Sequence, residues 1–478
     1  MKQLLATIFL IFLNVMLFAH PWKPNHFVII DTDGGFDDFR AINLLLASPD
    51  VRVLAITASD GVLDAEQVYK KVKSLICELH HEGILTGMLD DSANRVKNCQ
   101  PALDFSWGCL IGDQIHVPSS IEIVDYILKN TREKITFISL GGLGTVAACL
   151  NELDSFKLRT KRIIWAGDGQ MNDENFNYTI NPASFLSITE NQAIPLHIVN
   201  GNIGKAVYNQ QFMETVYSIN NSCATNIVRS LQQASTPYAL HWYDETIALY
   251  LHFPDFFVTD TSPTFFSHNF LLQAISELPV LVQQILSGRI TNQNQVLSYF
   301  PLDTLFYQED VRSIITKTIS RYGTEEWVAT VLTNELHRHL GVYATIGVKM
   351  GIRAREFFGA GVDEMQITSF AGLNPPFSCM NDGLQVSTGA TLGHGLIQAK
   401  PESNPVPKAE FEYLGQKITI ALKDEYRNKI ASEIHDLNAI YGLNSNIYWE
   451  LVRQLALYYW AEWDRNVIFE IQYTQGNF

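Results

Sequence analysis

The chain has 478 residues, of which 47% are hydrophobic and 18% charged, and a formal net charge of −16. That length exceeds the roughly 150 residues usual for one domain, so at least two are expected. The acid excess and the lack of any basic run argue against a polyanionic partner such as nucleic acid, which needs clustered Lys and Arg. A small neutral or cation-assisted substrate fits better.

In chain order, Met1-Lys2-Gln3, the apolar run Leu4 to Phe18 and then Ala19-His20-Pro21 read as a secretory signal peptide over residues 1–20. The run is short for a membrane anchor, so the expectation is export to a periplasmic or extracellular space, with no stable membrane insertion once the signal is removed. Phe27 to Ile30 is a buried-strand pattern, and Val51 to Thr57, Ile135 to Leu140, Ile163 to Ala166 and Leu196 to Val199 repeat it. Helical spacing separates them at Ala41 to Ala47 and Ala65 to His80, the second placing Val68, Val72, Leu75 and Ile76 on one face. This alternation predicts an α/β domain over residues 25–290 with a doubly wound, mostly parallel sheet. Beyond Ser262 the pattern turns helical and polar, and the Gln- and Asn-rich stretch from Ser287 to Gln308 reads as a connection, bounded at 291–315. A smaller α+β domain over 316–478 follows. It opens with a helical lead-in from Glu309 to Leu340, passes through a Gly-rich core up to Gly395 and a strand-like alternation from Phe411 to Leu422, and ends in a helical Asp424 to Tyr459. The aromatics of that last stretch predict an interface or a core cover, compatible with a homo-oligomer. Six scattered cysteines give no disulfide framework; Cys99 and Cys109 could pair across a loop, and Cys149 in an apolar run reads as a core thiol.

The chemistry starts directly after the first strand. Asp31, Asp33, Asp37 and Asp38 place four carboxylates within eight residues. In a parallel sheet that position opens into a cleft, and like charges so close call for a hard divalent cation, calcium or magnesium. The hydrophobic strand followed by DxDxxxDD resembles the nucleoside hydrolase family of the inosine-uridine type. Further landmarks stand in that family's order at Leu140 to Leu143, at Asn175 to Asn177 with Asn181-Pro182, and at Asp244 opening a helix that ends at Pro254-Asp255. The resemblance implies Ca2+ held by Asp33, Asp38, the Leu140 carbonyl and Asp244, with Asp33 as the catalytic carboxylate that helps activate water. It also implies a nucleoside-like small-molecule substrate, with Asp37 on the ribose 2′ hydroxyl and Asn177 on the ribose. Tyr243 stands where many family members carry a histidine, and Asn175 where they carry a glutamate; Glu174 and His241 are neighbours that could take those duties. The two readings left open are hydrolysis of an N-glycosidic bond, and nucleoside or sugar binding without turnover with any activity left to the His/Cys site of the second domain.

A second constellation comprises His337-Arg338-His339, Cys379 with Asp382-Gly383, and Thr388-Gly389-Ala390-Thr391-Leu392-Gly393-His394-Gly395. Two histidines and a distant cysteine are ligands suited to Zn2+ or another transition metal. The region is similar to the core domain of the formylmethanofuran dehydrogenase E-like family over about residues 325–400 and beyond. That similarity implies a metal or thiol site at His337, His339 and Cys379, with Asp382 behind it.

Overall fold

The computed structural model describes residues 24–89, 98–112, 116–167, 175–201, 208–219, 221–233, 240, 242–288, 296–297 and 299–475. The proposed signal segment, Glu174 and His241 lie outside the described residues.

Strand β1 (His26–Thr32) is followed by helix α1 (Phe36–Ala47), β2 (Val51–Ala58), α2 (Ala65–Glu78) and β3 (Leu85–Met88). Then come α3 (Ser120–Asn130), β4 (Ile135–Ser139), α4 (Gly144–Glu152), β5 (Thr160–Ala166), α5 (Phe176–Ile180), α6 (Pro182–Asn191) and β6 (Leu196–Asn200). Helices α7 (Ser222–Gln232) and α8 (Glu245–His252) precede β7 (Phe257–Thr261) and β8 (Phe266–Phe270), and α9 (Leu278–Leu286) closes the unit. The sheet order is β3-β2-β1-β4-β5-β6-β8-β7, parallel apart from the antiparallel β7–β8 pair. Successive residues of β1 feed opposite faces: Val28 and Ile30 join the core under α1, α2, α7 and α8, while Ile29 joins the one under α3 and α4. The alternating apolar packing on both faces explains why these strands are continuous hydrophobic runs.

Chain direction across the sheet reverses between β1 and β4, which pair in register at Asp31 and Ser139. Such a switch point opens a crevice at the carboxyl ends of the two strands, and the acidic motif begins there.

The expected strands and helices of this half are all present, but the polar stretch beyond Ser262 contains β8, and β7 lies just before it. The pair extends the sheet as an edge hairpin, where half-exposed polar strands are tolerated. The disulfide also differs from expectation. Cys77 at the end of α2 pairs with Cys109, their Cα atoms 6.0 Å apart, and Cys99 is free. Cys149 is fully buried as predicted.

The second unit packs α10 (Ile315–His337) and α11 (Val342–Phe358) with α12 (Met380–Thr388). Its sheet is built from β9 (Gln366–Ser369), β10 (Ile397–Ala399), β11 (Lys408–Tyr413), β12 (Gln416–Leu422) and β13 (Phe469–Gln475), ordered β10-β9-β11-β12-β13. The terminal helical stretch is two helices, α13 (Asp424–Tyr441) and α14 (Asn446–Glu462), divided after Gly442 at φ 72°. Its aromatics are largely a core cover: Tyr459 and Trp460 are buried, and Trp460 stacks on Trp327 at 4.5 Å. Below them Lys349, fully buried, donates to Glu326 at 2.6 Å, and Arg465 donates to Glu326 and Glu356, so each buried charge has its counter-charge.

The units meet through the turn after α2. Gly83 donates its amide to Phe357 O at 2.7 Å, Arg353 bonds Glu82, and Arg52 Nε of β2 donates to both carboxylate oxygens of Glu364 at 2.8 and 2.7 Å. No helix among the described residues is long and apolar enough to cross a membrane.

Candidate active site at the carboxyl edge of the first sheet

Asp31, next to last in β1, is wholly buried. Its carboxylate accepts from Thr57 Oγ1 at 2.6 Å, Ser59 Oγ at 2.8 Å and Thr145 Oγ1 at 2.8 Å, while its carbonyl accepts the Leu140 amide at 2.9 Å. One side chain thus ties β1, the end of β2 and the first turn of α4 together. Burial raises its pKa to about 6 despite the three hydroxyls.

Asp33 projects into a slot that only glycines leave open. A Cβ on Gly61 would stand 2.1 Å from Asp33 Oδ2, and one on Gly141 would stand 2.7 Å from Asp33 Cβ. Asp33 is buried and its Oδ2 has no hydrogen-bond partner, a costly state for an isolated carboxylate. Asp38 Oδ2 accepts Thr32 Oγ1 at 2.6 Å and the Asp33 amide at 3.0 Å, which folds the DTDGGFDD turn back on itself. One oxygen from each of Asp37, Asp38 and Asp244 lies within 4.8 Å of the others. Burial first, then mutual repulsion, pushes Asp33 and Asp244 well above the ordinary carboxylate range and Asp37 up to about 7.

Four carboxyl groups and one buried orphan oxygen are what a hard divalent cation compensates, so the residues fit the implied ion. The expected set was Asp33, Asp38, Leu140 and Asp244; the trio drawn together is Asp37, Asp38 and Asp244, with Asp33 in the adjoining glycine slot. Leu140 lies at this edge, and its carbonyl accepts from Asn177 Nδ2 at 2.6 Å, which also donates to Ala166 O at 3.1 Å. Asn177 is therefore placed at the site. Asn175 Oδ1 caps α5 by accepting the Tyr178 amide at 3.1 Å. Tyr243 is half-buried, and burial together with the Asp37 charge raises its phenol pKa.

Sequence reasoning missed the residues behind these groups. Arg40 of α1 and Glu245 of α8 form a buried ion pair, and Tyr208 donates its hydroxyl to the same carboxylate. A charged Arg40 among Phe39, Ala41 and Ile42 on a buried helix was the available signal.

A profile of inosine-uridine preferring nucleoside hydrolases matches residues 28–291, more than half of the chain. The chain belongs to that nucleoside hydrolase family. A second profile, FmdE of the molybdenum formylmethanofuran dehydrogenase operon, matches residues 336–445. Relatives of the nucleoside hydrolase unit include a pyrimidine-specific ribonucleoside hydrolase RihA of Salmonella paratyphi A, 26% identical over 229 residues, covering 43% of this chain and 70% of that protein. The RihA of Escherichia coli O45:K1 is 25% identical over the same span, with the same two coverages. Similar solved structures include the plant nucleoside hydrolase PpNRh1, at 16% identity and TM-score 0.45 over 55% of this chain and 100% of that one. A purine-preferring ribonucleoside hydrolase from Gardnerella vaginalis has 13% identity and TM-score 0.44 over 55% and 99%.

In the FmdE-like unit, His337 ends α10, Arg338 turns the chain at φ 68°, and His339 follows. His337 Nδ1 bonds Asp382 Oδ2 at 2.8 Å, its Nε2 is buried without a partner, and the His339 ring lies 4.3 Å away. Asp382 in the first turn of α12 thus stands behind His337 as the similarity implied. Cys379 is half-buried, its thiol pKa raised by burial and by Asp382. Its sulfur does not converge with both imidazoles: among the described residues, the carboxylate trio is the only group of three acidic, His or Cys donors so closely gathered.

Proposed function

We propose that the first unit hydrolyses the N-glycosidic bond of a ribonucleoside or related N-riboside in a calcium-dependent reaction, releasing ribose and free base. The observation that carries this reading is the buried, partnerless Asp33 Oδ2 beside the Asp37, Asp38 and Asp244 trio, at the switch point of a nucleoside hydrolase sheet.

Calcium, when bound by Asp33, Asp38, Asp244 and the Leu140 carbonyl, supplies the charge that lets these carboxylates ionise together and acidifies a water. The remaining chemistry belongs to the chain. Asp33 takes a proton from the attacking water, the new C1′–O bond forms as the C1′–N bond breaks, and the departing base carries the electron pair and then a proton. Asp37 accepts the 2′ hydroxyl, and the Asn177 amide holds the ribose near Leu140. A ring of carboxylates also favours the positive charge that develops on the sugar in an oxocarbenium-like state. Tyr243, whose phenol stays protonated, donates a hydrogen bond beside Asp37.

The signal-like residues 1–20 and the Cys77–Cys109 disulfide support export to an oxidising compartment, where such bonds persist. The FmdE-like unit is proposed to bind a transition metal through His337 Nε2, the buried nitrogen left without a partner once Asp382 holds Nδ1. The test is ribose release from a panel of purine and pyrimidine nucleosides by the full chain with calcium, alongside Asp33→Ala. Ribose from at least one nucleoside, lost in the variant, is expected; no ribose from any of them contradicts the reading.

A further inference from the structure

Helix α8 starts unusually. Asp244 occupies its N-cap, where a carboxylate ordinarily accepts a backbone amide of its own first turn, yet its side chain makes no such bond. It is turned toward Asp37 and Asp38 instead. The next residue compensates: Glu245 Oε2 accepts the Tyr243 amide at 3.0 Å and so secures the start of the helix. Glu245 Oε1 meanwhile receives Arg40 Nε and the Tyr208 hydroxyl, and the Arg40 guanidinium sits 5.2 Å from the centre of the Tyr208 ring. Arg40 and Glu245 have side-chain exposures of 0% and 2%. Arg40 follows Asp37 by three residues on α1, one helical turn away, so both partners of this pair adjoin the carboxylate trio.

A buried ion pair stabilises little compared with an apolar pair of the same volume, because desolvation offsets attraction. Its position between the two helices that carry the carboxylates indicates another role. We propose that the Arg40–Glu245 pair, clasped by Tyr208, sets the cation affinity of the site through its opposite charges beside the carboxylate trio. This rests on the calcium reading above.

The charges give the two single variants opposite signs. Glu245→Gln removes the anion that offsets Arg40 beside the cation site, so calcium Kd rises by about tenfold or more. Arg40→Met leaves Glu245 as an additional anion, so Kd stays level or falls. The double variant returns to within about threefold of the parent chain. Calcium titration by calorimetry on the full chain, with no substrate present, reads all four proteins. Parallel weakening in both single variants, with a still weaker double variant, would overturn the proposal and leave only a packing role. If either single variant fails to fold, Arg40→Lys and Tyr208→Phe supply the test. Both variants preserve the charges, so each keeps Kd within about threefold; weakening by about tenfold or more in either overturns the proposal. Failure of the parent chain to bind calcium would instead overturn the cation reading, and the proposal with it.

Discussion

The two ligand-rich regions are built in opposite ways. In the first unit the carboxylates come from the end of a buried strand, the first turn of α1 and the start of α8, and rigid neighbours leave them no alternative to facing one another. In the second, His337 and His339 flank a tight turn, Asp382 satisfies one imidazole nitrogen, and Cys379 stands apart. Ligand-type residues in a sequence thus mark a site only when fixed elements force their donor atoms together against their own repulsion.

The largest effect expected from this contrast is functional. Asp38→Ala should lower ribose release by at least about 10³-fold, since it removes a trio member and the acceptor that closes the acidic turn. His337→Ala or Cys379→Ala should leave release within about twofold, measured under the same calcium concentration. Loss of activity in the second-unit variants would join the two sites that the geometry separates.

Stability separates the two regions as well. Asp33→Asn removes a buried carboxylate whose Oδ2 has no partner, together with its repulsion with Asp38, Asp37 and Asp31. In chelator it should therefore raise the stability of the chain by roughly 1–2 kcal/mol while abolishing catalysis. A fall in Tm for this variant would show that Asp33 is already satisfied. The corresponding Asp382→Asn change, at a carboxylate with a partner, should lower stability by about 1 kcal/mol.

A smaller effect lies at the far end of the first sheet. His197 Nδ1 and His268 Nε2 are 2.9 Å apart with nearly parallel rings, and Tyr250 bonds both. Burial, with Arg162 nearby, lowers both imidazoles from 6.5 to about 4. Between those values the unfolded chain binds more protons than the folded one, so stability is complete above pH 6.5 and declines as pH falls toward 4. A loss on the order of 2–3 kcal/mol across that window is expected in thermal melts. His268→Gln should flatten the decline; an unchanged slope would place the pH sensitivity elsewhere.

Much of this organisation was legible in the sequence because burial on both faces writes a strand as an unbroken apolar run. Val28 to Ile30, Phe137 to Ile138 and Ile163 to Trp165 are such runs. The hairpin β7–β8 was not, since Val258-Thr259-Asp260-Thr261 lie on the edge strand and face solvent, and Ser267-His268-Asn269 of β8 break the apolar run with polar residues. Strand β13 alternates Phe469, Ile471 and Tyr473 with polar residues, but the aromatic helix before it masked the period. Within the site, the motif aspartates and Asp244 could be named from their order. The glycine slot around Asp33, the three hydroxyls on Asp31 and the Arg40–Glu245 pair could not, because each joins residues up to 205 apart in sequence through packing alone. The Cys77–Cys109 pairing was hidden for the same reason: spacing does not reveal which thiols the fold brings to 6.0 Å.

The most direct test is single-turnover hydrolysis by the full chain after chelation, followed by calcium addition. No ribose is expected in chelator, with recovery on restoring calcium and with Asp38→Ala silent in both conditions. Full turnover in chelator, or recovery in Asp38→Ala, would contradict the assignment of the chemistry to the carboxylate cluster.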